Sequence, residues 1–289
     1  MEEYREIEKM AGKLFLVGTP IGNLKDITLR ALEVIKESDI VAAEDTRQTI
    51  KLLNHFNIKK TMISYHKFNE NDKSLDIIEE IENGKKIALV TDAGMPGISD
   101  PGSVIVSKCI EKNIDFEVIP GATALITGLV YSGLDSSKFV FRGFLPRGNK
   151  ERREVIQEIK NYRDSIIIYE APHRLKSTLS FLLEELGNRK IAVCKELTKL
   201  YENILRGSII EILEYYQDNN PRGEYVIIIQ GKSDEEIENE KRSGWEGIDV
   251  EDHIKKYMEK GFSKKEAIKL TAKDRGVPKS EIYKNSLEL

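Results

Sequence analysis

The chain has 289 residues, 40% hydrophobic and 33% charged, with a net charge of −4; this length can bury the cores of two domains. The charge excludes a global basic field, so any nucleic-acid contact must rest on a local basic patch. Two cysteines, Cys109 and Cys194, lie in neither a CxxC nor a Cys/His cluster, which excludes a disulfide framework and a zinc site. No apolar run approaches the roughly 20 residues of a membrane span. The charged start MEEYREIEKMAGK lacks the apolar centre of a secretory signal. The expectation is a cytoplasmic protein with no membrane contact and no metal.

Residues 13–17 read as a first strand and Gly18-Thr19-Pro20-Ile21-Gly22-Asn23 as a tight loop. Asp26 or Thr28 caps the helix that carries Leu29, Leu32, Val34 and Ile35. Pro20 stands where a dinucleotide fold places the second glycine of GxGxxG, which disfavours a nicotinamide cofactor. A second strand, 39–43, runs into Glu44-Asp45-Thr46-Arg47. An acid at this point holds ribose in Rossmann folds; the other reading makes Asp45 or Thr46 a helix cap and leaves Arg47 solvated. A third strand, 62–65, precedes His66-Lys67-Phe68-Asn69-Glu70 and a helix through Leu75, Ile78 and Ile81 that ends at Asn83-Gly84.

Strand 86–91 feeds the most distinctive stretch, VTDAGMPGISDPG at 90–102. Gly94, Gly97 and Gly102 permit close backbone approach, Pro96 and Pro101 stiffen the loop, and Asp92 and Asp100 add charge. A helix over 103–112 and a strand over 116–119 follow, then Pro120-Gly121-Ala122-Thr123-Ala124. The strand–loop–helix rhythm predicts a mostly parallel sheet with helices on both faces. Its three Gly/Pro-rich loops, after residues 17, 91 and 119, should converge on one crevice.

The pattern changes in the Gly/Ser/Asp linker at 132–138. Strands at 139–144, 166–169, 190–194 and 223–230, with helices at 149–162, after 174 and at 208–216, make a second α/β domain with a mixed or antiparallel sheet. The expected division is a charged tail 1–12, an α/β domain 13–133, a second α/β domain 138–231, an acidic, flexible linker 232–248 and a helical extension 249–289. In the extension GFSKKEAIK and RGVPKSEIYK read as two short helices joined by a turn. Basic residues slightly outnumber acidic ones there, so a helix-turn-helix that touches nucleic acid stands beside a small bundle docked on the body.

Motifs for a serine nucleophile, a zinc protease and a P-loop are absent from the sequence. His55 and His253 read as structural, whereas His66 and His173 each follow a strand on a polar loop. The pattern fits a metal-free transferase whose Gly/Pro loops enclose a nucleoside-type cofactor, with carboxylates and arginines at the rim.

The segments VGTPIGNLKDITLRA, EDTR, SYH, VTDAGMPGISDPG, IPGATA, GFLPR, YEAPHRL and CKELTK, in this order over residues 13–231, resemble the bacterial ribosomal RNA small subunit methyltransferase I family. Its members are 2′-O-methyltransferases of a 16S rRNA cytidine with the tetrapyrrole (class III) methylase fold. The resemblance implies two α/β domains with S-adenosylmethionine in the cleft between them, a homodimer, and a substrate in 16S rRNA or the small ribosomal subunit. The C-terminal tail is similar to the family's helix-turn-helix extension.

The resemblance places the cofactor against Pro20, Ile21, Asp92, Gly94, Met95, Ile98, Asp100, Thr123 and Ala124, covered by Tyr169, Leu197 and Gly223. A 2′-hydroxyl is a poor nucleophile at neutral pH, so a general base is expected. Glu44, Asp45, His66 and Glu196 are the candidates, with the Glu44–Asp45 pair favoured and Lys195 able to lower the hydroxyl's pKa. Arg30, Arg47, Arg147, Arg174 and Lys195 are the expected RNA contacts, since arginine grips phosphate in a bidentate manner. Two other readings stay open. One is a methylase of the same fold acting on a tetrapyrrole-like small molecule; the other is a non-catalytic RNA-binding assembly factor.

Overall fold

A computed structural model describes residues 12–243 and 245–284; the charged tail expected at 1–12, apart from Gly12, lies outside the described residues. The chain begins with β1 (Lys13–Val17), α1 (Leu29–Glu37), β2 (Ile40–Ala43), α2 (Thr46–His55), β3 (Thr61–Ser64) and α3 (Glu70–Glu82). Next come β4 (Lys86–Val90), α4 (Ser103–Lys112), β5 (Phe116–Ile119) and α5 (Ala124–Ser132). The five strands form one sheet in the order β3-β2-β4-β1-β5, all parallel.

Alternation along the strands fills both faces of this sheet. Leu14, Leu16, Ile87 and Leu89 pack with Ile77 and Ile81 of α3 and Ile105 of α4. Val17, Ala88 and Val90 pack with Ala31 and Ile35 of α1 and Leu53 of α2. Of the two caps expected for α1, Thr28 is the one used: its hydroxyl accepts from Ala31 N–H at 3.0 Å.

The chain continues through β6 (Phe139–Phe144), α6 (Asn149–Ile159), β7 (Ser165–Glu170), α7 (Leu175–Leu186) and β8 (Lys190–Lys195), then β9 (Asn203–Ser208), α8 (Ile209–Asp218) and β10 (Tyr225–Ile229). These strands form a mixed sheet, β6-β7-β10-β8-β9, in which only the β6–β7 pair is parallel. One face carries α6, α7 and α8. The other is covered by α5, whose Leu125 and Leu129 pack with Ile167, Ala192, Val226 and Ile228. A Cβ on Gly128 would stand 3.1 Å from Val226 Cγ1, so glycine lets α5 lie close to β10. A boundary at residue 133 thus divides the chain in sequence but not in packing.

Among the described residues, 160–163 and those from 231 to 284 form a separate compact unit. It contains α9 (Asp234–Ser243), α10 (Val250–Glu259), α11 (Lys264–Arg275) and α12 (Lys279–Lys284). Where a flexible acidic linker was expected, α9 forms. Ser233 Oγ accepts from Glu236 N–H at 3.0 Å and the Glu236 carboxylate accepts from Ser233 N–H at 2.6 Å. With Asp234, Glu235 and Glu236 in its first turn, the acids that suggested flexibility complement the helix dipole. The two basic segments become α11 and α12, sharing with α10 a core of Ile254, Ala267, Ile268, Ala272 and Ile282.

Candidate functional site

The loops leaving β1, β4 and β5 meet, and backbone contacts fix them. Thr19 N–H donates to Gly94 O at 2.9 Å and Gly94 N–H to Thr19 O at 3.2 Å. The buried Thr19 hydroxyl donates to Thr91 O at 3.1 Å. A Cβ on Gly18 would stand 2.8 Å from the Gly121 backbone, so the β1 and β5 loops touch through a place where only glycine fits. Ile21, Glu44 and residues 92–95, 98–100 and 123–125 thereby line one cleft of about 640 Å³. Ligand sites span about 300–1,000 Å³.

The mixed sheet supplies the opposite wall. Tyr225 at the start of β10 pairs with Glu170 at the end of β7 and with Lys195 at the end of β8, which brings these strand ends to one edge. Phe144, residues 169–173, Cys194, Glu196, Leu197, Lys199 and residues 224–226 line this side. The Tyr169 ring is held edge-on by Phe141 at 4.9 Å and Phe144 at 5.7 Å. Burial pushes its hydroxyl up to about 12, so it stays neutral.

The loop after β8 is strained. Glu196 and Thr198 have φ of 50° and 64°, left-handed conformations that cost a residue other than glycine roughly 1–3 kcal/mol each. Several bonds hold them. The Glu196 carboxylate accepts from Glu224 N–H at 2.9 Å and from the Lys199 ammonium at 3.0 Å. Lys199 also reaches Glu224 at 2.8 Å. Glu202 accepts from Thr198 N–H at 2.7 Å, and the Thr198 hydroxyl accepts from Asn23 N–H at 2.9 Å. This last bond ties the β1 loop to the β8 loop. Beside it, a Cβ on Gly22 would stand 2.9 Å from Leu197 O.

The cleft is acidic. Five acidic residues whose carboxylates are not buried in the core line it, Glu44, Asp92, Asp100, Glu196 and Glu224, against one lysine, Lys199; the carboxylate of a sixth, Glu170, is buried against Arg174 and Thr178. Burial raises the pKa of Glu44, and the charge of Asp100 raises it further. Burial likewise raises Asp92 and Asp100, with repulsion from neighbouring acids adding to it. Glu196 differs: burial would raise it, but the Glu224 amide and Lys199 together hold it below the ordinary value. Acids that repel one another in this way favour a bound cation.

Of the residues expected to hold the cofactor, Ile21, Asp92, Gly94, Met95, Ile98, Asp100, Thr123, Ala124, Tyr169 and Leu197 line the cleft. Pro20 is buried between Thr19 and Ile21. Gly223, at φ 80°, turns the chain into β10 where a Cβ would collide with the Glu196 side chain. Of the acid–base candidates, Glu44 and Glu196 line the cleft. Asp45 instead caps α2. Its carboxylate accepts from Arg47 N–H at 2.9 Å and from the guanidinium at 3.0 and 2.7 Å. Those bonds hold its pKa down to about 2. His66 is not among the lining residues; its amide donates to Asn69 Oδ1 at 2.8 Å.

Lys195 faces a second cleft. Among the expected RNA contacts, Arg47 and Arg147 are exposed, and Arg30 pairs with Glu117 at 3.5 Å. Arg174 is turned inward, against expectation. It donates to Leu145 O at 2.8 Å and Pro146 O at 3.3 Å and pairs with the buried Glu170 at 3.4 Å. Its guanidinium is thus spent on holding the loop after β6. Sequence reasoning missed Lys199, Glu224 and Phe144. Lys199 was legible three residues after Glu196 in KELTK; Glu224 required knowledge that β10 pairs with β8. Among the described residues no group of three or more His, Cys, Asp or Glu is placed to hold a metal, and no helix is long and apolar enough to cross a membrane.

Residues 13–213 match the family model described as Tetrapyrrole (Corrin/Porphyrin) Methylases. The chain is 48% identical over 272 residues to the ribosomal RNA small subunit methyltransferase I of Halalkalibacterium halodurans, covering 94% of this chain and 93% of that protein. It is 43% identical over 221 residues to the protein of the same name from Thermotoga maritima, covering 76% of this chain and 99% of that one. A solved diphthine synthase shares the fold, with a TM-score of 0.63 at 16% identity over 77% of this chain and 91% of that chain.

Proposed function

Since the chain belongs to the tetrapyrrole methylase family, and within it to the ribosomal RNA small subunit methyltransferases I, we propose that it is a methyltransferase that uses S-adenosylmethionine and acts on the ribose 2′-hydroxyl of a cytidine in 16S rRNA. The observation that carries this reading is 48% identity, over 94% of the chain, to a relative named ribosomal RNA small subunit methyltransferase I, joined to a cleft of matching charge. S-Adenosylmethionine has two positive charges, on sulfur and nitrogen, and one negative charge. Its net charge suits a cleft in which five carboxylates face one lysine.

Asp92 and Asp100 are suited to the ammonium group. The backbone amides of the loop between them suit the carboxylate. Ile21, Leu125 and Leu197 offer an apolar slot for adenine, and the faces of Tyr169 and Phe144 attract a cation. When bound, the cofactor supplies an electrophilic methyl carbon on its sulfonium.

This chain's own task is to align the ribose oxygen with that carbon, exclude water and take up one proton. Glu44 is the base we favour. It lines the cleft, and burial with the neighbouring acids has raised its basicity. Asp45 is a much weaker base, and both of its oxygens are engaged by Arg47. Glu196 is occupied by Lys199 and the Glu224 amide, which makes it a positioning residue for the β8 loop. Arg147, exposed on the loop after β6, is suited to phosphate, and Arg47, also exposed, would have to share its guanidinium with Asp45. The family resemblance also implies that the chain works as a homodimer.

The relatives that match nearly the whole chain are named for ribosomal RNA, which favours RNA over a tetrapyrrole as substrate. The test is transfer from methyl-labelled S-adenosylmethionine to small ribosomal subunits of a strain lacking this modification. Label in 16S rRNA supports the reading; absence of label with a cofactor-bound, folded enzyme overturns it.

A further inference from the structure

Lys195, expected beside the reacting hydroxyl, faces a second cleft of about 360 Å³ on the other side of the β8 loop. Glu196, Leu197 and Lys199 of that loop line the first cleft, whereas Lys195 and residues 200–203 line the second. Tyr225 lines both. The loop after β8 and Tyr225 therefore contribute to both walls, and a ligand that reaches past them would enter both clefts.

The second cleft differs in chemistry from the first. Tyr201 and Tyr215 offer ring surface at 71% and 43% exposure. Tyr215 is braced edge-on by Tyr216 at 5.2 Å, and Tyr216 by Tyr225 at 6.2 Å. Asn203, Asn219 and Asn220 bring side-chain amides. Asn219 Nδ2 donates to Tyr215 O at 2.8 Å, which leaves its Oδ1 free to accept. Glu202, also in the wall, is already engaged through both oxygens by Tyr131 and Thr198. The Lys195 ammonium enters none of the ion pairs or side-chain hydrogen bonds formed among the described residues, and Lys195 stands at the end of β8 beside both clefts.

Aromatic faces, amides and a single cation are what a nucleobase with its phosphate needs. Bases of single-stranded RNA stack on tyrosine and have their edges read by amides. The carboxyl end of α8 contributes partial negative charge at Asn219 and Asn220. That favours a base with an exocyclic amine over a bound anion, and it leaves the phosphate to Lys195.

We propose that this second cleft is an RNA subsite that binds an unstacked nucleobase close in sequence to the methylated nucleotide, Tyr201 and Tyr215 supplying the stack and Lys195 the phosphate contact. The proposal rests on the rRNA methyltransferase reading above and adds to it a second recognition point across the β8 loop. It also explains why the loop is held in strained conformations: both of its faces bear ligand-binding side chains.

The test uses the full-length enzyme, small ribosomal subunits and S-adenosylmethionine. The double variant Tyr201→Ala/Tyr215→Ala should raise the KM for the RNA substrate by about tenfold or more, as loss of base stacking does. Its dissociation constant for S-adenosylmethionine, read by calorimetry, should not change. Tyr201→Trp/Tyr215→Phe, which keeps the ring faces, should restore the wild-type KM. An unchanged KM in the alanine variant overturns the subsite, as does an equal loss of cofactor affinity, which would mark a structural role. Failure of the wild-type enzyme to methylate RNA would instead overturn the underlying function, so the two failures are distinct.

Discussion

Gly22→Ala tests whether the cleft depends on the contact between the β1 and β8 loops. The new Cβ would stand 2.4 Å from Lys199 Cγ, 2.7 Å from Thr198 Oγ1 and 2.9 Å from Leu197 O. The lysine stem can swing away. The Leu197 carbonyl belongs to a strained backbone and must retreat by several tenths of an ångström to reach ordinary contact. That retreat pulls Thr198 from Asn23 N–H, now 2.9 Å away. Overpacking costs about 1–3 kcal/mol and a lost hydrogen bond about 1 kcal/mol more. A total of about 2–4 kcal/mol lowers the unfolding midpoint by roughly 5–10 °C in a body of this size. Because Leu197 and Glu196 move with the loop, affinity for S-adenosylmethionine should fall about tenfold or more, the equivalent of about 1.4 kcal/mol. Thermal unfolding and calorimetry on the same preparation read both. Wild-type midpoint and affinity in the variant would refute the reasoning, since the two loops would then not be in forced contact.

Glu44→Gln should lower kcat by roughly 10²–10⁴-fold, the usual contribution of a general base, while cofactor affinity changes little; near-normal turnover would remove Glu44 from the chemistry. Glu44 must be ionised to take a proton and its pKa is raised, first by burial and then by Asp100. Activity should therefore fall with decreasing pH at a higher pH than an ordinary carboxylate would give, and a wild-type pH–rate profile checks this. The same shift has a stability consequence. The folded state holds that proton more tightly than the unfolded chain, so the stability is fully present below the unfolded pKa. It is lost as pH rises through the folded value, and denaturant titrations of Glu44→Gln should lack that component. Arg174→Ala leaves the buried Glu170 carboxylate without its ion pair and frees the carbonyls of Leu145 and Pro146. It should destabilise the fold by about 3–5 kcal/mol, and a loss of RNA affinity without loss of stability would return Arg174 to the RNA contacts.

The first sheet was legible in the sequence because its strands are short apolar runs bounded by Gly, Pro and Asn, and both of its faces are buried. The meeting of its loops was also legible, since small residues stand at Gly18, Gly94 and Gly121 where backbones touch. Besides α9, two elements escaped. The strand β9 carries Arg206 and Gly207 and alternates weakly, and its place is set by pairing with β8. The helix α5 is apolar on nearly all sides and reads as an undefined run until the second sheet is there to cover. In the site, the motif EDTR located two acids but could not rank them. Asp45 points along its helix into Arg47, and Glu44 points into the cleft. That difference is one of strand and helix geometry, not of composition. Arg174 was misread for a related reason. A basic residue on a polar loop resembles a phosphate ligand until the buried carboxylate of Glu170 is seen beneath it.

The most direct test of the proposed chemistry is the identity of the nucleoside that carries the label. After transfer to 16S rRNA, alkaline hydrolysis cleaves next to every free 2′-hydroxyl and spares a linkage whose 2′-oxygen is methylated. Label recovered in an alkali-stable dinucleotide that digests to 2′-O-methylcytidine is the predicted result; label in a base-methylated nucleoside released by alkali as a single nucleotide would contradict it.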